Sequence, residues 1–124
     1  MSDDVKAIEA ATKTYLDGMY EGNADKLASV FHPTSALAHV ADGELKIMPR
    51  ADWLTAVRGR QSPQSRNLER KDEILSIDLV DARTAFVKVK CQVPPRYFVD
   101  LLSFLKIDGR WQVAQKVFAA ETRE

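Results

Sequence analysis

At 124 residues, with 45% apolar side chains and a single cysteine, the chain is sized for one domain around one core and has no internal disulfide framework. Its 18 lysines and arginines balance 18 aspartates and glutamates, which leaves no net field to draw it onto nucleic acid or an acidic membrane. No apolar run approaches the roughly 20 residues of a membrane span, and the acidic start Met1-Ser2-Asp3-Asp4 is unlike a signal peptide, so a cytoplasmic protein is expected.

Val5, Ile8, Thr12, Tyr15 and Met19 recur at helical spacing, with Asp3 and Asp4 at the N-terminal dipole end and Gly22 as the stop, which predicts a first helix of about five turns. Asn23 is placed to cap a short second helix carrying Leu27, Val30 and Phe31, ended by Pro33. From Ser35 the pattern becomes that of a short hairpin, Ala36-Leu-Ala-His-Val-Ala41 and Glu44-Leu-Lys-Ile-Met48, closed by the favoured pair Asp42-Gly43. A third helix, Arg50 to about Gly59, follows Pro49 and clusters Trp53, Leu54 and Val57 on one side. Residues 59–67 read as a polar loop, and strands are predicted over 69–80, 84–93, 96–107 and 110–119. Helices first and a meander of long strands afterwards indicate an α+β fold, with the helices on one face of a strongly curved sheet.

The last two strands are apolar on both faces, yet they carry Asp100 and Lys116, charges that need a reason to be there. Two registers are open at Asp108-Gly109. A three-residue loop with a glycine bulge pairs Ile107 with Trp111 and gathers Leu101, Leu105, Ile107, Trp111, Val113 and Val117 on one face, and this register is the one expected. The other face then holds Phe98, Asp100, Leu102, Phe104, Ala114, Lys116 and Phe118. Leu102 opposes Lys116 and Asp100 opposes Phe118, so Asp100 and Lys116 become diagonal neighbours about 7–8 Å apart at the backbone. An ion pair at a subunit interface or strand end is nearly as good an explanation of them as a functional one.

Tyr15-Leu-Asp-Gly, Gly22-Asn, Phe31-His-Pro and Asp100-Leu-Leu-Ser-Phe-Leu-Lys-Ile-Asp-Gly-Arg-Trp with Lys116-Val-Phe resemble the nuclear-transport-factor-2-like superfamily, and within it most closely the "putative lumazine-binding" proteins. The resemblance covers essentially the whole chain and implies a cone of curved antiparallel sheet with an internal pocket, usually in a homodimer. A second resemblance, to ketosteroid isomerase on the same fold, implies site roles. Tyr15 falls where that enzyme keeps its oxyanion-binding tyrosine, Asp100 matches the aspartate that donates to the same oxyanion, and His39 falls at the position of the general base. Lys116 and Phe118 match pocket-lining positions of the last strand. A lysine beside Asp100 would hold it ionised rather than as the neutral acid the isomerase needs, so steroid isomerisation is not expected.

Each candidate also has a plainer reading. Tyr15 sits in an apolar helical stripe, where most tyrosines are core residues with a satisfied hydroxyl, and His39 is as well explained as a hydrogen-bonded core histidine. His32 reads as a tie at the helix end, Cys91 as a small core hydrophobe, and Trp53 as a lid residue over the mouth of the cone. Arg58, Arg60 and Arg66 flank the polar loop and could attract an anion toward the opening, although a solvated charge run is the default. Two histidines with no third ligand at suitable spacing give no metal site, and no cofactor motif is present.

Two functions follow from different classes. One is a non-catalytic module that binds a small molecule in the cone, lined by Lys116, Trp53, Phe118, Phe98, Phe104 and Leu102. The other is a proton-transfer enzyme, an isomerase, dehydratase or cyclase acting on a carbonyl-bearing substrate, with His39 as base and Tyr15, Asp100 and Lys116 managing the charge.

Overall fold

The computed structural model describes residues 3–123. Helix α1 spans Asp3–Glu21 and α2 spans Ala24–Val30; Gly22, at φ 65°, makes the left-handed link between them. Asn23 caps α2 by accepting from the Lys26 backbone N–H at 3.1 Å. Gly18 lets the two helices close up, because a Cβ there would lie 2.8 Å from Leu27 Cδ2. Strands β1 (Ala36–Ala41) and β2 (Glu44–Pro49) form the short hairpin, with both Asp42 and Gly43 at positive φ. Helix α3 (Arg50–Gly59) follows at once.

Strands β3 (Glu73–Asp81), β4 (Thr84–Val93), β5 (Arg96–Ile107) and β6 (Arg110–Thr122) complete a six-stranded sheet in the order β2-β1-β6-β5-β4-β3. The sheet is antiparallel except where β1 joins β6, a parallel contact registered at Leu37 with Lys116 and Ala38 with Val117. Three helices lie on the concave face of this curved, unclosed sheet, as expected for the α+β class. Period-2 alternation fixes which residues face them: in β4, Ala85, Val87, Val89 and Cys91 are buried while Phe86, Lys88 and Lys90 face outward. These meet Ile8, Tyr15, Leu16, Leu27, Val30 and Phe31 of the helical layer in one core.

The hairpin between β5 and β6 corrects the expected register near its turn. Ile107 pairs with Arg110 and Lys106 with Trp111, so the loop has two residues, and Asp108 and Gly109 both take positive φ (51° and 78°). That geometry matches the strand twist without a glycine bulge. The extra residue is instead Ala114, where the register shifts between Ser103 and Phe104. Beyond it Leu102 opposes Lys116 and Asp100 opposes Phe118, as the sequence predicts. The consequence falls on Trp111 and Val113, which lie on the helix-covered face rather than with Leu101, Leu105 and Val117. Trp111 is buried and donates its indole N–H to Asp4 Oδ1 at 3.0 Å.

β3 starts four residues later than the sequence pattern indicates, and β6 runs on to Thr122. Residues ahead of β3 are held by other partners. Arg70 pairs with Asp17 and Asp72, both at 2.8 Å, and the Tyr20 hydroxyl donates to the Leu68 carbonyl at 2.9 Å. The polar loop is therefore pinned along the C-terminal half of α1.

Candidate functional site

A cavity of about 1150 Å³ opens between α3, the β1–β2 hairpin and the Pro94-Pro95 turn. Its walls carry His39 and Leu37 from β1, Trp53 from α3, Phe98 from β5, and Lys116 and Phe118 from β6. Another hollow, of about 1050 Å³, lies toward the far ends of β3 to β6. Its charges satisfy one another: Arg70 with Asp72 at 2.8 Å, Lys90 with Glu73 at 4.0 Å and Arg123 with Glu121 at 2.8 Å. The first cavity is different, because its aromatic wall surrounds a buried charge.

That charge is Lys116, only 3% exposed. Leu37 beside it in the parallel register is buried, and the ammonium lies 5.1 Å from the Tyr15 ring centre, 5.0 Å from Trp53 and 5.0 Å from Phe118. Three aromatic faces stabilise a cation that has lost most of its water. The fourth partner is Asp100, with Oδ2 3.8 Å from Lys116 Nζ. Asp100 is fully buried, and the same oxygen accepts the Tyr15 hydroxyl at 2.5 Å and lies 3.5 Å from Cys91 Sγ. Its other oxygen, Oδ1, has no partner among the described residues. Burial and the adjacent Asp100 carboxylate push the Tyr15 hydroxyl well above its ordinary pKa. Burial first, and Asp100 second, push the Cys91 thiol up as well, which suits a core residue rather than a nucleophile.

The candidate residues fall into two layers. His39, Trp53, Phe98, Lys116 and Phe118 line the cavity, with the His39 ring stacked on Phe118 at a centroid distance of 4.4 Å. Tyr15 and Asp100 lie behind Lys116, their polar atoms turned toward each other. Leu102 and Phe104, both fully buried, belong to the core beneath. His32 bonds Thr34 through Nδ1 at 2.8 Å and stays at the end of the helical pair.

Of the three arginines that flank the polar loop, two reach the cavity, and two cations the sequence did not single out join them there. Lys46, Arg60, Arg66 and Arg96 also line the cavity, whereas Arg58 turns away to Asp25 at 3.7 Å. The signal lay in two loops that the topology brings together, one after α3 and the other at Pro94-Pro95. Arg60 has its pKa lowered, by desolvation first and by the positive charge of Arg96 second. Among the described residues no three His, Cys, Asp or Glu side chains gather closely enough to hold a metal ion, and no helix is long and apolar enough to cross a membrane.

Known proteins agree with this architecture. An NTF2-like protein from Shewanella baltica superposes with a TM-score of 0.87 at 20% identity, covering 97% of this chain and 95% of that one. A ketosteroid isomerase-like protein from Erwinia carotovora atroseptica superposes with a TM-score of 0.76 at 15% identity, covering 99% and 100%. In sequence, the chain is 28% identical to Aldolase FrzH of Cladobotryum sp over 127 residues, which covers 98% of this chain and 95% of the relative. The fold is therefore that of NTF2-like proteins, and residues 3–119 match the family described as "Putative lumazine-binding", to which the chain belongs.

Proposed function

We propose that this protein binds a small organic molecule in the cavity beneath α3, against the wall formed by Lys116, Trp53, Phe98 and Phe118. The observation that carries the reading is Lys116: a lysine held at the cavity wall by a buried carboxylate and three aromatic rings presents a fixed donor to whatever enters. Native mass spectrometry of protein purified from its own cells tests this. A retained non-covalent ligand that is lost in Lys116→Met supports it, and a ligand retained unchanged by that variant counts against it.

A second reading is favoured by His39, which shares the cavity with Lys116 and whose ring is set by stacking on Phe118. In this reading the protein is a proton-transfer enzyme, an isomerase, dehydratase or cyclase. His39 removes a proton beside a substrate carbonyl and the Lys116 ammonium stabilises the resulting enolate oxygen. Aldol chemistry, which the name of the Cladobotryum relative implies for that protein, begins with the same step. Tyr15 and Asp100 act here as positioning residues, since the tyrosine hydroxyl donates to the carboxylate that anchors Lys116. Proton exchange at the α-carbon of a bound ketone, followed by NMR in deuterated buffer, should disappear in His39→Ala; exchange that persists removes the histidine from the role.

The reading includes a homodimer. Phe86, Leu105 and Val117 are exposed on strands whose other face packs against the helices, Val40, Leu45 and Ile47 are exposed on the neighbouring β1–β2 hairpin, and a second copy would cover this apolar surface.

A further inference from the structure

The cavity is polarised in a way that selects its occupant. Although acids and bases balance over the chain, the residues lining the cavity include five lysines and arginines and no aspartate or glutamate. Lys46 is matched by Glu44 at 3.2 Å and Lys116 by Asp100 at 3.8 Å. Among the described residues, no ion pair includes Arg60, Arg66 or Arg96. Like charges brought together without a counter-ion are unfavourable in the empty protein and are relieved by an anion. The rim is held in place as well: Arg60 follows the last turn of α3, and the Arg96 guanidinium lies 5.0 Å over the Phe98 ring. Deeper in, the requirement reverses. Lys116 already has its carboxylate, so the inner wall offers a donor to a neutral acceptor rather than a second anion site.

We propose that the cavity takes a ring-bearing oxyanion. Its acidic group sits between Arg60 and Arg96 at the rim, its flat body lies against Phe98 and Phe118, and a carbonyl or hydroxyl oxygen at the far end faces Lys116. Two planar guanidinium forks suit a carboxylate, and they also suit a phosphate. This assignment rests on the cavity being the ligand site, and it names the class of molecule that enters.

Isothermal titration calorimetry with four probes of one ring size tests it: 1-naphthoate, 1-naphthyl phosphate, 1-naphthalenemethanol and 1-naphthylmethylammonium. At least one oxyanion should bind about tenfold more tightly than the alcohol, and the tighter of the two identifies the head group. Arg60→Gln and Arg96→Gln should each weaken the oxyanions more than the alcohol and so remove most of that preference, and added salt should weaken the oxyanions more than the alcohol. Both arginines are exposed, Arg60 just past α3 and Arg96 at the first residue of β5, so unchanged thermal melting serves as the control for folding. Equal binding of all four probes, or an oxyanion preference that survives both substitutions, overturns the clamp while leaving the cavity as the ligand site. Failure of every probe to bind overturns both.

Discussion

Removing either member of the Asp100–Lys116 pair leaves a charge buried without its counter-charge. Lys116→Met or Asp100→Leu should therefore cost about 3–5 kcal/mol in urea unfolding. The double variant should cost clearly less than the sum, because it buries apolar groups in place of both charges; strict additivity would mean that the two charges do not interact. Tyr15 and Cys91 set the alkaline limit of stability. Both hold their protons in the fold at pH values where the unfolded chain, with ordinary values of 10.0 and 9.0, releases them. The folded state then binds more protons than the unfolded state, so stability is full below pH 9 and falls as pH rises above it. Denaturant titrations at pH 8 and pH 10.5 should show the loss, and Tyr15→Phe should flatten the part of the slope that begins near pH 10.0, where an unperturbed tyrosine ionises. A slope unchanged by that variant would mean that Tyr15 ionises as freely in the fold as outside it.

At the scale of single elements, the contact between α1 and α2 is the tightest test of packing. A methyl at Gly18 would meet the buried Leu27 side chain at 2.8 Å, so Gly18→Ala should destabilise by about 1–3 kcal/mol despite the better helix propensity of alanine. Adding Leu27→Val should recover part of that loss, and the melting temperatures of the two variants check it. The helices were legible in the sequence because their apolar stripes and caps are local: Asn23, Gly22 and Pro49 each mark an end that the structure keeps. The hairpin between β5 and β6 was legible only in part. Both of its faces are apolar, so the pattern could not tell Trp111 beside Leu105 from Trp111 beside Phe104, and the Asp4 side chain that accepts the indole N–H lies more than a hundred positions away in the chain. The arginine rim was legible at Arg60 and Arg66, which flank the polar loop, but not at Arg96. Arg96, the first residue of β5, looks like an ordinary charge beside a turn until the sheet curls and brings that turn to the same opening.

Across the whole molecule, the proposed dimer is tested through the outer sheet face. Val117→Glu with Leu105→Glu places two charges on the apolar surface, and sedimentation should then show a monomer where the unaltered protein shows a dimer at high micromolar concentration. An unaltered protein that sediments as a monomer would refute the dimer, and a dimer that survives both substitutions would move its interface elsewhere. The narrow parallel seam between β1 and β6 has a consequence in time. It joins residues about eighty positions apart through two registered pairs, whereas the meander from β3 to β6 closes through short turns. The meander therefore assembles early and the β1–β2 hairpin docks onto it late, so the chamber exists only after the rest of the protein has folded. By the same reasoning this hairpin detaches first in the native state. Amide exchange in β1 should outpace that in β4 and β5, and a ligand large enough to touch both His39 and Phe98 should slow it, binding as a clasp across the last seam to close.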